Sequence, residues 1–143
     1  MSEHQSPEEQ SQLEAIEQDP LFSGPAIAAT VSLLLGFYTL MITHHISRLS
    51  KEMDKFIHSY GYWIPGSTGV GPDGSIGSYA GKEALALLVW GLSWTIFHLL
   101  WRKQDIPVRG WLPIFLGGLL VVSLAFIHPI IDPFILLLID VFG

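Results

Sequence analysis

Three uncharged stretches dominate this chain: "AIAATVSLLLGFYTLMIT" (26–43), "ALALLVWGLSWTIFHLLW" (84–101) and "IFLGGLLVVSLAFI" (114–127). A helix of about 20 apolar residues crosses the hydrocarbon core of a bilayer, and inside that core only closed backbone hydrogen bonding is tolerated. Each stretch therefore reads as a membrane-spanning helix. Charged residues make up 14% of the chain, against roughly a quarter in a typical soluble domain. The expected fold is an all-α integral membrane protein with three transmembrane helices, over about 26–47, 83–102 and 112–131. Residues 1–24 read as an acidic solvated tail, and 25–143 as a single transmembrane domain with a loop at 61–81 and a short hydrophobic C-terminal segment.

The first helix is expected to run past the membrane. Ile42, Ile46, Leu49, Met53, Phe56 and Tyr60 recur in steps of three and four, and no Gly or Pro interrupts 37–60. That is an apolar stripe on a polar helix, and it predicts one continuous helix of about 35 residues, ~50 Å long at 1.5 Å per residue. Within the span, Ala28, Ser32 and Gly36 fall on one face. Small residues at this spacing let a second helix approach closely. The loop "GYWIPGSTGVGPDGSIGSYAG" is rich in glycine and bordered by Tyr60, Tyr62, Trp63 and Tyr79, which suit a membrane surface. "GSYAGKE" fails as a phosphate loop in spacing, and no Ser or Thr follows its lysine. At the other end of the chain, Pro129 and Pro133 are expected to make "HPIIDP" a turn. Residues 134–142 are too short to span again and are expected to be interfacial, re-entrant or partner-bound.

The net charge of −6 comes largely from the first 19 residues, which hold six acids and no Lys or Arg. A nucleic-acid partner is not expected, since binding phosphate backbones needs a basic face. The chain has no cysteine, so disulfides, iron–sulfur clusters and thiolate metal sites are excluded. Arg48, Lys51, Lys55 and Lys82 fall on one side of the membrane, and Arg102, Lys103 and Arg109 on the other. This near balance sets orientation weakly. The acidic tail carries nothing that resists translocation, and it is placed on the non-cytoplasmic side.

Depth along the helices sorts the groups capable of chemistry. His44 and His45 lie about 29 Å into the first span at 1.5 Å per residue, near the surface opposite the tail. His128 and Asp132 approach that same surface on the third helix, whereas His98 lies near the tail side. A haem clamped by His98 and His128 would face a mismatch of roughly 15 Å. The candidate metal or proton-carrying site is His45, His128 and Asp132, with Glu83 as a fourth member: two imidazoles and a carboxylate suit a divalent ion such as zinc. His44 points about 100° away from His45 on a helix and is left out. The rival reading makes the histidines ordinary interfacial residues. A second candidate is Trp90, Trp94 and His98, aligned at helical spacing as a groove for a quinone, pigment or other lipophilic ligand, or as plain helix packing.

No triad, catalytic carboxylate pair or metal motif marks an enzyme. The expected function is a small non-catalytic accessory or assembly subunit of a larger membrane complex. It would contact lipid, and other subunits through Ala28, Ser32, Gly36 and the stripe Leu49, Met53, Phe56. The alternatives are a subunit binding a cofactor, metal or lipophilic ligand (quinone, pigment or haem), and a homo-oligomeric transporter.

Overall fold

The computed structural model describes residues 22–68 and 76–142. Nearly all of the acidic tail and the middle of the glycine-rich loop lie outside the described residues. Within them the chain forms five helices and no strands: α1 (Gly24–Leu49), α2 (Lys51–Ser59), α3 (Ser78–Trp101), α4 (Val108–Ala125) and α5 (His128–Phe142). Helices α1, α3 and α4 are each long and apolar enough to cross a membrane.

The three long apolar helices stand in a row. Helix α1 is in the middle, α3 packs along one face and α4 against another, and the backbones of α3 and α4 do not approach one another closely. Helix α3 runs antiparallel to α1, since Gly24 meets Trp101 while Gly36 meets Ala86 and Trp90. Helix α4 runs parallel to it, because the partners of Thr30, Tyr38 and His45 are Trp111, Gly118 and Ala125 in turn.

The small-residue face is the reason α3 can come so close. Gly24, Ala28, Ser32 and Gly36 are all buried. A Cβ at Gly24 would collide with the Trp101 carbonyl oxygen, and one at Gly36 would lie 3.1 Å from Trp90 Cβ. Ser32 donates its hydroxyl to the Ala28 carbonyl, 2.7 Å away in its own helix, and so brings no unpaired polar group into the interface. This face was expected to receive another subunit. It is instead filled by the chain's own α3.

The continuous first helix is also corrected. It breaks at Ser50, whose backbone is extended (φ −156°, ψ 164°) and whose Oγ accepts the Met53 N–H at 3.1 Å. Serine is a good N-cap, and Glu52 and Asp54 in the next turn complement a new helix N-terminus. Periodicity carried the apolar stripe across this point, but the cap restarts the helix. Helix α2 then packs back on the start of α3 through buried Ile57. A Cβ on Gly81 would strike the Ile57 carbonyl oxygen. His58 closes the following loop by bonding the Ser67 carbonyl at 2.8 Å. Leu49, Met53 and Phe56 remain exposed, uncovered by the described part of the loop.

At the other end, the break falls at Phe126–Ile127, ahead of "HPIIDP", which forms the opening turns of α5. Pro129 sits in the first helical turn, where a missing N–H costs nothing. Residues 134–142, expected as a separate segment, continue this helix.

Replacing Gly81 by Val should lower the melting temperature of the detergent-solubilised protein, since overpacking typically costs about 1–3 kcal/mol. Val at exposed Gly110, which has open space around it, is the matched control. The arrangement of spans predicts that cysteines at exposed Lys103 and Thr68 label from opposite sides of the membrane. Labelling of both from one side would contradict three crossings.

Candidate functional site

The polar groups collect where α1 ends against α4 and α5, and the cause is visible in the backbone. In a continuing helix the Ala125 carbonyl would accept the N–H of residue 129, which is proline and has none. His45 supplies the missing donor: its Nε2 lies 2.8 Å from Ala125 O. A carbonyl only accepts, so the Nε2 carries the proton. The imidazole is 9% exposed, and its Nδ1 is buried without a hydrogen-bond partner. His45 is thus a cap for α4 delivered from α1.

His44, one residue earlier on the helix, faces α5. Its Nε2 is 2.9 Å from His128 Nε2, so one ring donates and the other accepts, and the bond exists only while one Nε2 is unprotonated. The three rings form a compact group, with centroids 5.5 Å apart for His44–His45, 5.1 Å for His44–His128 and 6.0 Å for His45–His128. One turn on, Arg48 grips Asp132 through two hydrogen bonds of 2.8 and 3.1 Å. This guanidinium holds the Asp132 carboxyl below the usual carboxylate range. Lys82, from the first turns of α3, is almost fully buried, with its ammonium 4.6 Å above the Tyr79 ring.

The expected metal set does not assemble. His45 and His128 are neighbours, but His45 Nε2 is taken by a carbonyl and Asp132 by Arg48. Among the described residues no three His, Asp or Glu side chains are placed to hold a metal ion. Glu83 is exposed and belongs elsewhere, along an apolar groove between α1 and α3. Sequence reasoning left out His44, which makes the cluster's direct bond to His128. Pro129 was the available signal, because a proline four residues after Ala125 announces a carbonyl in need of a donor.

The second candidate group is partly brought together. Trp90 lines the α1–α3 groove, about 400 Å³, with Leu33, Gly36, Phe37 and Leu40. Trp90 and Trp94 share a second depression on the outer face of α3. His98 stacks obliquely on Trp94 at 5.6 Å but lines neither space.

Compared with protein-family models, with curated proteins and with solved structures, the chain matches none.

Removing the His45 donor should destabilise the fold by about 1–3 kcal/mol, the cost of stranding a buried carbonyl. His45→Ala should therefore melt lower than His44→Ala, whose partner His128 is less enclosed. The Arg48–Asp132 pair adds a pH dependence. A lowered carboxyl pKa means the pair's contribution is complete above the ordinary carboxylate range and is lost as pH falls through the lowered value. The melting temperature should drop in that acidic window, and Arg48→Met should remove this drop.

Proposed function

We propose that this chain is a non-catalytic membrane subunit that assembles with other membrane proteins. The observation that carries the reading is the row arrangement: α3 and α4 flank α1 with their backbones apart, which leaves large apolar flanks on the outer helices. Leu87, Leu92, Leu99, Leu116, Leu120 and Val121 are among the side chains left exposed on those flanks. Lipid satisfies such surfaces as well as protein does, so the reading leans also on the stripe Leu49, Met53 and Phe56, which starts at the last residue of α1, continues on α2 and is exposed. The N-terminus is proposed to lie on the non-cytoplasmic side.

One observation favours a second reading. The α1–α3 groove is almost wholly apolar and is lined in part by Trp90, which fits the tail of a quinone, pigment or lipid. In that case the protein would be a ligand-carrying subunit.

Purification of the tagged chain in a mild detergent separates these readings. Other membrane proteins should accompany it in fixed proportion, and Met53→Glu with Phe56→Glu should release them, since two charges would enter an apolar seam. A lone chain with a bound chromophore would support the second reading, and a lone symmetric oligomer would overturn both.

A further inference from the structure

Glu83 stands at an unusual depth for a carboxylate. It lies five residues into α3, a helix of 24 residues and so ~36 Å long at 1.5 Å per residue. With that helix centred on a hydrocarbon core of about 30 Å, the backbone of Glu83 is about 5 Å inside the boundary with the headgroups. Its side chain leans towards the helix N-terminus, which is the membrane surface. Glu83 is exposed, and among the described residues it makes no ion pair and no hydrogen bond. Lys82, its neighbour in sequence, is turned inward: it is 4% exposed and stands on the Tyr79 ring. Ionisable groups at membrane depth usually face protein or water and pair there. Glu83 instead lies beside exposed Leu87 on the apolar surface of α3.

Two apolar grooves reach this carboxylate. One runs between α1 and α3 past Leu33, Phe37 and Leu40. The other, about 750 Å³, follows the outer face of α3 past Leu88, Gly91, Leu92 and Thr95. Glu83, Leu87 and Trp90 line both, and among the described residues Glu83 is the one charged group lining either. Gly91 has open space around it, which keeps the outer groove clear. The polar end of that groove is also aromatic. Gly61 packs on Ala80 and Gly81, so Tyr60 and Trp63 stand near the first turns of α3, where they line the groove with Glu83. Trp63 Nε1 already donates to the Tyr60 carbonyl at 2.9 Å. Its ring, not its N–H, is what it offers a ligand.

Building on the ligand-carrying reading of the α1–α3 groove, we propose that the two grooves hold the two acyl chains of one phospholipid, whose primary ammonium headgroup is bonded by Glu83. An ionised carboxylate only accepts hydrogen bonds, and a primary ammonium carries donors and the opposite charge. Tyr60 and Trp63 add aromatic faces that attract a cation. A choline headgroup has the charge but no N–H donor. A glycerol headgroup has donors but no positive charge.

The full chain, reconstituted in nanodiscs of phosphatidylethanolamine, phosphatidylcholine and phosphatidylglycerol in equal parts with matched acyl chains, tests this through the lipid retained in native mass spectrometry. The wild type should retain phosphatidylethanolamine over the other two by about tenfold, the scale of one hydrogen bond to a charged group. Glu83→Gln should bring that preference near parity while lipid is still retained. It should also melt no lower than wild type in pure phosphatidylcholine discs, because no partner within the chain is lost. Gly91→Leu, which fills the outer groove, should reduce retention of all three lipids. A preference that survives Glu83→Gln, retention without preference, or a lower melting temperature for Glu83→Gln in phosphatidylcholine would overturn the headgroup assignment and leave the ligand-carrying reading standing. If no lipid is retained, and the chain runs alone, as a pair of copies or bound to another protein, both are wrong.

Discussion

Apolar helices gain little by hiding from lipid, so burial alone does not bring them together in a membrane. What holds these spans is close backbone approach and a few polar bonds, and both run through α1. The face of Gly24, Ala28, Ser32 and Gly36 lets α3 settle against it at distances where an added Cβ at Gly24 or Gly36 would intrude. Another face reaches α4 through Trp111 Nε1 donating to Thr30 Oγ1 at 3.0 Å and Tyr38 donating to the Gly118 carbonyl at 3.2 Å. Without α1 the other two helices have no close backbone approach to each other. The fold is therefore a central helix with two attachments, and its flanks are open by construction.

The ends of the spans show how each attachment is closed. At the tail side the α3–α4 loop is stitched to the start of α1: the Gly24 N–H donates to the Gln104 carbonyl at 3.0 Å, and Ser23 Oγ accepts the Ile106 N–H at 2.7 Å. At the other side a helix stop leaves a carbonyl that a side chain must satisfy. Pro129 lets α5 begin but strips the Ala125 carbonyl of its donor, and His45 replaces it. Once His45 faces α4, the helical twist turns His44 towards α5, where it meets His128. Arg48, a further turn on, reaches Asp132. The placing of His45 thus answers a helix end in need of a donor, which Pro129 cannot supply.

The three spans were legible because an uncharged run of bilayer length has few other interpretations. The small-residue face was legible too, although not its occupant, since spacing shows that a helix can approach but not which one. The break at Ser50 was not read, because the apolar steps from Ile46 to Met53 fit both one helix and two. Only the serine's choice of its own Met53 N–H decides, and Ser is common inside helices as well. The candidate site failed for a similar reason. Depth put His45, His128 and Asp132 at one level, which is correct, but depth carries no information about azimuth or about rival partners. Arg48 lay in plain view as a partner for Asp132, and the lost carbonyl donor for His45 could have been deduced from Pro129.

The two ends of the molecule differ in kind. The tail-side joints are hydrogen bonds of peptide, hydroxyl and indole groups, with one carboxylate, Asp105, whose Oδ1 accepts from Ser23 Oγ at 2.8 Å. The opposite joints are made by imidazoles, a guanidinium and a carboxylate, beside an almost buried lysine. An ion pair at a surface responds to salt and to neighbouring headgroups. A change of salt or lipid therefore acts on the Arg48–Asp132 pair, one part of the hold that α1 has over α5. Among the described residues the backbone of α5 is otherwise close only to α4, so this surface pair and the His44–His128 bond are what tie it to α1.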